Sequence, residues 1–159
     1  MTKAPANDRN QKPIVALDLG TKLVGVAVSD ELHISIRPLP PLKRSNWKQL
    51  LSDVESLIKS FDAEALVLGL PLRLDGSKGS AAVEIERLAS NFSKSLKVPV
   101  YLQDERLTSF DARHKLSSDG HNEEEIRTLI DGEAAALILR DFLTNDTAYP
   151  VSENRAQKS

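Results

Sequence analysis

Three acidic residues that lie far apart in the chain could act together if folding brings them to one place. They stand beside apolar runs, and they are Asp18, Glu105 and Asp131. Three unpaired carboxylates repel one another, and this repulsion would raise their pKa values. A hard divalent ion removes the conflict, and Mg²⁺ or Mn²⁺ fits carboxylate ligands together with a phosphate substrate. Two such ions about 4 Å apart can activate water and stabilise the leaving oxygen of a phosphodiester.

The first of these acids lies in a predicted β-hairpin. Two apolar runs, Ile14–Leu19 and Leu23–Asp30, flank the short turn Gly20–Lys22, a pattern that favours two strands joined by a tight connection. Side chains alternate across a strand, so Asp18 shares a face with the apolar Ala16. A carboxylate in this position is costly to bury unless something pairs with it. Asp18 is therefore expected either at the open end of the strand or next to a metal ion.

The remaining patterns predict alternating helices and strands. Further along the chain they are a short strand His33–Ile36, a proline-rich connector Arg37–Leu42, a helix capped by Ser45 or Asn46 and ending near Phe61, a buried strand Ala65–Leu70, a helix with an apolar stripe from Ile85 to Leu96, a strand Val98–Gln103, a short helix from Thr108 to Leu116, a polar loop Ser117–Glu125, and a helix from about Leu129 to Leu143. This order predicts an α/β fold with a mixed sheet, antiparallel at the hairpin edge and parallel where helices intervene, flanked by helices. Sites in open α/β sheets form at the carboxyl ends of strands, where Asp18 and Glu105 would meet.

Composition limits the class of protein. The chain has 159 residues and no cysteine, which excludes disulfides and thiolate metal sites and favours a reducing, cytoplasmic location. No apolar run approaches the roughly 20 residues of a membrane helix. We expect flexible tails at residues 1–13 and 146–159 around a single domain at 14–145. The formal net charge of −2 argues against non-specific coating of nucleic acid but allows a local basic rim.

Six polar or basic side chains are candidates for contacts with substrate phosphates, since arginine offers a bidentate fork and lysine a point charge. They are Thr21, Lys22, Arg73, Lys78, Arg106 and Arg113. For each of them, a solvated surface position is the alternative interpretation.

The three acids also have structural alternatives. Asp18 could pair with Lys22 at the strand end, and Glu105 could pair with the adjacent Arg106. Asp131 could be a first-turn acid favoured by the helix dipole. Asp104 competes with Glu105, because strand alternation lets only one of two neighbours face a common site.

Four spaced motifs resemble the YqgF family, also called RuvX, whose members are named pre-16S rRNA nucleases or Holliday-junction-resolvase-like proteins. The motifs are IVALDLGTKLVGVAVSD (Ile14–Asp30), VLGLPLRLDGSKG (Val67–Gly79), VYLQDERLTSFDARHKL (Val100–Leu116) and IDGEAAALIL (Ile130–Leu139). The resemblance implies an RNase H-like fold and a metal-dependent nuclease that trims the 5′ end of the 16S ribosomal RNA precursor. Carried over by motif, the metal-binding acids are Asp18, Glu105 and Asp131. Related resolvases have a further acid or histidine one turn beyond the last acid, where this chain has Ala134.

Other functions remain open from the residues alone. A resolvase that cleaves branched DNA shares the expected fold and would be expected to be a symmetric homodimer. The residues alone leave open whether this chain is a monomer or a homodimer. A non-catalytic RNA-binding module for ribosome assembly would keep the basic rim without using the acids for chemistry. An actin-like ATPase also begins with such a hairpin, but it needs two domains around its nucleotide, and 159 residues are too few for them.

Overall fold

One mixed β-sheet forms the centre of the computed structural model, which describes residues 11–105, 123–144 and 148–151, with side chains in the second range from residue 132 onward. Its six strands have the order β3-β2-β1-β4-β5-β6. Their bounds are β1 Ile14–Leu19, β2 Leu23–Ser29, β3 Ile36–Lys43, β4 Ala65–Leu70, β5 Val100–Asp104 and β6 Ala148–Pro150. The central strands β1, β4 and β5 are parallel, and the other pairings are antiparallel. The predicted mixed sheet is confirmed.

In the part of the chain that the structure describes, three helices flank the sheet: α1 Trp47–Phe61, α2 Ser80–Ser95 and α3 Glu123–Thr144. The predicted cap of α1 is present, because the Asn46 side chain accepts a hydrogen bond of 2.8 Å from the Gln49 backbone N–H. This bond satisfies a donor that the first turn of a helix leaves free. The helix ends where Asp62 adopts the left-handed conformation, with φ 52°.

Strand β4 contributes buried side chains to both faces of the sheet. Leu66, Leu68 and Leu70 point to one side, where they pack against α1 and α2. Ala65 and Val67 point to the other side, where they pack against α3. Both sets are buried, as a central parallel strand requires, and each fully buried leucine stabilises the fold by about 1.5–3 kcal/mol.

The proline-rich segment is a strand rather than the predicted connector. Strand β3 spans Ile36–Lys43 and pairs antiparallel with β2, with a register shift between Val24 and Val26. Prolines lack an N–H donor, but an edge strand uses only one of its sides for pairing, so it can hold them. The predicted strand His33–Ile36 was placed too early, because His33 has a φ of 60° outside β3.

The C-terminal part of the chain also differs from the prediction. Helix α3 begins at Glu123, so residues 123–125 are helical and do not belong to a polar loop. Ala148–Pro150, predicted as part of a tail, pair with β5 as an edge strand. The predicted helix from Thr108 to Leu116 lies outside the described residues. Among the helices that are described, none is long and apolar enough to cross a membrane.

Candidate active site

The C-terminal ends of β1, β4 and β5 meet at one edge of the sheet, because these three strands run parallel. Asp18 is near the end of β1 and shares a face with Ile14 and Ala16, which are buried under α3. It pairs across the hairpin with Gly25 on β2. Asp18 is only partly buried, so it lies where the core opens toward solvent, which is one of the two positions that the sequence left open.

Glu105 extends β5 by one residue and lies on the same face as Asp18. Its backbone N–H donates a hydrogen bond of 3.1 Å to the Leu70 carbonyl, which continues the pairing of β4 with β5. This bond directs the Glu105 side chain toward Asp18, and the two carboxyl groups lie within hydrogen-bonding reach. The predicted choice of Glu105 over Asp104 is consistent with this contact.

The environment of Glu105 disfavours a negative charge. Burial, the charge of Asp18, a hydrogen bond with Asp18 and the charge of Asp104, in this order, raise the pKa of the Glu105 carboxyl from 4.5 to about 9. The residue as a whole is half-buried, but its Oε1 atom is buried and has no hydrogen-bond partner within the described structure. Two carboxyl groups in contact need either a shared proton or a cation between them.

The described oxygen atoms fit a hard divalent ion. Asp18 and Glu105 provide carboxylate oxygens, the ligands that Mg²⁺ and Mn²⁺ prefer, and the unpartnered Oε1 atom of Glu105 can coordinate an ion. Over the side chains that the structure describes, no group of three or more acids, histidines or cysteines is close enough to hold a metal. The described part of the candidate site is therefore a pair of carboxylates.

Asp131, the third predicted acid, lies well inside α3, which begins at Glu123. The alternative of a first-turn acid stabilised by the helix dipole is therefore wrong. Its side chain is outside the described residues. The next residue, Gly132, lies close to β3, since a Cβ added there would be 3.1 Å from the Pro38 Cβ. This close approach fixes where the middle of α3 crosses the sheet.

Thr21 and Lys22 are exposed in the turn that follows β1. This turn is held by Arg44, which sequence patterns did not identify. The Arg44 backbone N–H donates to the Lys22 carbonyl at 2.9 Å, and its Nη1 donates to the Gly20 carbonyl at 2.6 Å. Its Nη2 lies 3.6 Å from the Glu84 carboxylate on α2, so one arginine joins the turn to a helix.

Arg73 and Lys78 lie in the loop that follows β4, at the same edge, and both are exposed. The Arg73 guanidinium lies against the backbone of Gly79, where an added Cβ would be 3.2 Å from Nη2. Lys78 Nζ is 2.7 Å from the Glu86 carboxylate, and this hydrogen bond raises the pKa of Lys78. The structure brings these two residues to the edge of the sheet that carries Asp18.

Arg106 and Arg113 lie outside the described residues, so their predicted phosphate contacts stay predictions. The role of Arg44 was missed because it depends on contacts with Gly20 and Glu84, which are distant in sequence. No local pattern distinguishes this arginine from a solvated one.

Comparisons with known proteins identify relatives over most of the chain. The model of a family described as "RuvX: Holliday junction resolvase" matches residues 12–145. A protein of Synechococcus elongatus named "Putative pre-16S rRNA nuclease" is 37% identical over 81% of this chain and 87% of its own length. A protein of Pelagibacter ubique with the same name is 37% identical over 86% of this chain and 92% of its own length.

Solved structures confirm the expected RNase H-like fold. RuvC of T. thermophilus, solved in complex with a Holliday junction substrate, has a TM-score of 0.56 at 15% identity and covers 87% of this chain and 99% of its own. A second Thermus thermophilus RuvC structure has a TM-score of 0.52 at 18% identity, with the same coverage of both chains. At these identities the likeness concerns the fold alone.

Proposed function

Because the chain belongs to the RuvX family, we propose that it is a metal-dependent nuclease that hydrolyses phosphodiester bonds in the 16S ribosomal RNA precursor. The relatives named for this substrate cover most of the chain at 37% identity. The observation that carries the proposal is the contact between Asp18 and Glu105. Burial and this contact together raise the pKa of Glu105 to about 9. Such a pair of acids at the carboxyl ends of parallel strands is stable in its ionised form only with a cation.

Asp18 and Glu105 would hold Mg²⁺ or Mn²⁺, with Asp131 as a third ligand on the basis of its motif. A bound ion of this kind supplies Lewis-acid activation of the phosphodiester and of the attacking water. Glu105 can contribute its Oε1 atom, which is buried without a hydrogen-bond partner in the described structure. Asp18, at the partly exposed end of β1, lies on the side from which a strand of nucleic acid can approach.

The residues around the acids would position the substrate backbone. Thr21 and Lys22 are presented by a turn that Arg44 holds through two hydrogen bonds. Arg73 and Lys78 are exposed on the neighbouring loop. Positive side chains at a cleft raise the local concentration of a polyanion, and guanidinium groups bind phosphate oxygens in pairs. Arg106 and Arg113 would extend this rim on the basis of sequence.

Cleavage of precursor RNA by purified protein tests the proposal. With Mn²⁺ or Mg²⁺, we expect the wild type to shorten a transcript that carries the 5′ extension of 16S rRNA. Asp18→Asn and Glu105→Gln should lose at least about 100-fold in rate, since each removes a ligand of the activating ion. The matched control is Glu55→Gln, because Glu55 is an exposed acid on α1. Equal cleavage by the wild type and both site variants would exclude the mechanism.

A four-way DNA junction is the second candidate substrate. The description of the matching family, Holliday junction resolvase, favours it. The same assay with a junction in place of RNA distinguishes the two substrates, and the solution mass adds a check, because a resolvase is expected to be a dimer. Metal-independent binding of RNA without cleavage of either substrate would instead indicate a non-catalytic assembly factor.

A further inference from the structure

Gly69 interrupts an otherwise aliphatic strand in the middle of the sheet. It lies in β4 between Leu68 and Leu70, which are both fully buried. Glycine in the interior of a strand loses more conformational entropy on folding than other residues and packs no side chain. Among the described glycines only Gly76 has a positive φ, so any residue could adopt the backbone conformation of Gly69. The lack of a side chain is therefore what distinguishes this position.

The space beside Gly69 is occupied by two side chains. A Cβ added to Gly69 would lie 2.5 Å from the Ile138 Cδ1, 2.9 Å from the Glu105 Oε1 and 3.0 Å from the Glu105 Cδ. Ile138 belongs to α3, and Glu105 follows β5. Because Gly69 has no Cβ, the Ile138 side chain of α3 and the Glu105 carboxyl together occupy the space beside it. This space is called the Gly69 slot below.

The sheet register places this slot beside Asp18. Leu68 pairs with Leu17 in the parallel ladder between β4 and β1, so the next residues, Gly69 and Asp18, are neighbours on the face under α3. On its other side, Gly69 pairs with Gln103, two residues before Glu105. Gly69 therefore lies between the two carboxylates along the sheet, with no side chain to separate them.

We propose that Gly69 is a positioning residue, which holds the Glu105 carboxyl next to Asp18 by leaving room for it under α3. A methyl group at this position would displace Glu105, Ile138 or both, because carbon and oxygen atoms do not approach within 3.0 Å of a Cβ without a shift. The consequence for metal binding depends on the function proposed above. The contact between Gly69 and Glu105 does not, so it can be tested in metal-free protein.

The metal-free test is a thermal unfolding cycle in EDTA. Gly69→Ala should lower Tm by about 2–12 °C, the range expected for overpacking in a domain of this size. Glu105→Asp withdraws the carboxyl by one methylene, so Gly69→Ala should cost less in that background than in the wild type. Ile138→Val removes the Cδ1 atom and should relieve the rest of the cost. An equal effect of Gly69→Ala in the wild type and in the Glu105→Asp background would overturn the proposal.

The metal test measures Mn²⁺ affinity by calorimetry. The double variant Gly69→Ala/Ile138→Val should bind Mn²⁺ at least about tenfold more weakly than Ile138→Val alone, a loss typical of residues that orient a ligand. The matched control is Ala65→Val, which overpacks the same face of β4 away from Glu105. It should lower Tm without changing the affinity. A double variant that binds Mn²⁺ as tightly as Ile138→Val would contradict the positioning role.

The two readouts separate this inference from the nuclease proposal. If the wild type binds no Mn²⁺, the proposed function fails, while the unfolding cycle still decides whether Gly69 positions Glu105. If Gly69→Ala does not fold by itself, the variants that also carry Ile138→Val, where the closest contact of 2.5 Å is gone, supply both measurements.

Discussion

The two faces of the sheet are built from different kinds of side chain. Under α1 and α2, the strands present large aliphatic residues such as Leu17, Leu66 and Leu68. Under α3, strands β1 and β4 present mostly alanine, valine and glycine, with Ile14 as the exception, and toward one edge the sheet presents Asp18 and Glu105. The large side chains of the first face fill the space between the sheet and its helices at the density of an organic crystal. The small residues of the second face let α3 lie close to the sheet and leave space for two carboxylates.

This difference separates stability from the candidate chemistry. Large side chains on the first face bury apolar area and hold the strands in register. Small residues on the second face, such as Gly69, let α3 approach closely, as does Gly132 on α3 itself. They also leave the acids accessible at the end of β1. Substitutions on the two faces should therefore affect different measured quantities.

The largest effect on stability is expected from the face under α1 and α2. Leu68→Ala should lower the free energy of unfolding by about 2–5 kcal/mol, because Leu68 is fully buried and a cavity would remain. Urea denaturation measures this change. Mn²⁺ affinity per folded molecule should stay the same. A loss of affinity comparable with that of Glu105→Gln would show that the two faces are not independent.

The next largest effect is a pH dependence of stability that arises on the face that carries the acids. Because the folded protein raises the pKa of Glu105 from 4.5 to about 9, it binds more protons than the unfolded chain within this range. The stability contributed by the protonated carboxyl is complete below about pH 4.5 and is lost as the pH rises toward 9. In EDTA, Glu105→Gln should therefore lose less stability than the wild type between these values.

Thermal unfolding of both proteins at pH 5 and pH 8.5 measures this difference. Saturating Mn²⁺ should stabilise the wild type at pH 8.5 by mass action and should stabilise Glu105→Gln much less. If Tm of the wild type and of Glu105→Gln changed with pH in parallel in EDTA, ionisation of Glu105 would cost no folding free energy. This result would contradict a raised pKa for the Glu105 carboxyl.

A smaller effect is expected at Arg44, which joins the turn after β1 to helix α2. Arg44→Ala removes the 2.6 Å hydrogen bond to Gly20 and the contact with Glu84 on α2. Loss of a hydrogen bond that involves a charged group should lower the free energy of unfolding by about 1.5–3 kcal/mol. Since the turn carries Thr21 and Lys22, RNA affinity should also fall. The control is Arg87→Ala, which removes the other arginine paired with Glu84 but leaves the turn intact.

The smallest effect on stability is expected at Lys78. Its ion pair joins an exposed lysine to the partly exposed Glu86, and such surface pairs add little to stability. Lys78→Ala should leave Tm nearly unchanged. If Lys78 contacts a phosphate, the salt dependence of RNA binding should lose about one unit of slope. Lys48→Ala, on the exposed side of α1, is the control and should not change that slope.

The fold and the acid pair were predictable because both follow from local patterns and a general rule. Apolar runs of the right length indicated β1, β4 and β5. The meeting of parallel strands at one edge then brings Asp18 and Glu105 together. The same reasoning failed for β3, because prolines argue against a strand unless its place at the edge of the sheet is known.

Other features depend on contacts that sequence patterns do not record. Arg44 acts through residues more than 20 positions away in the chain, Gly20 and Glu84. The start of α3 was placed too late because its first residues, Glu123 to Glu125, are polar and follow a glycine-containing segment, although glutamate favours helices. Gly69 offered a signal, an isolated glycine in an aliphatic strand, but only the positions of Glu105 and Ile138 explain it.

Anomalous diffraction from a crystal soaked in Mn²⁺ tests the assignment of the metal centre most directly. We expect a manganese peak between the carboxylates of Asp18 and Glu105, which lie within hydrogen-bonding reach of each other. The same soak of Glu105→Gln should give a much weaker peak or none. A fully occupied wild-type crystal with manganese elsewhere, or an equal peak in the variant, would contradict the assignment of this pair as the metal centre.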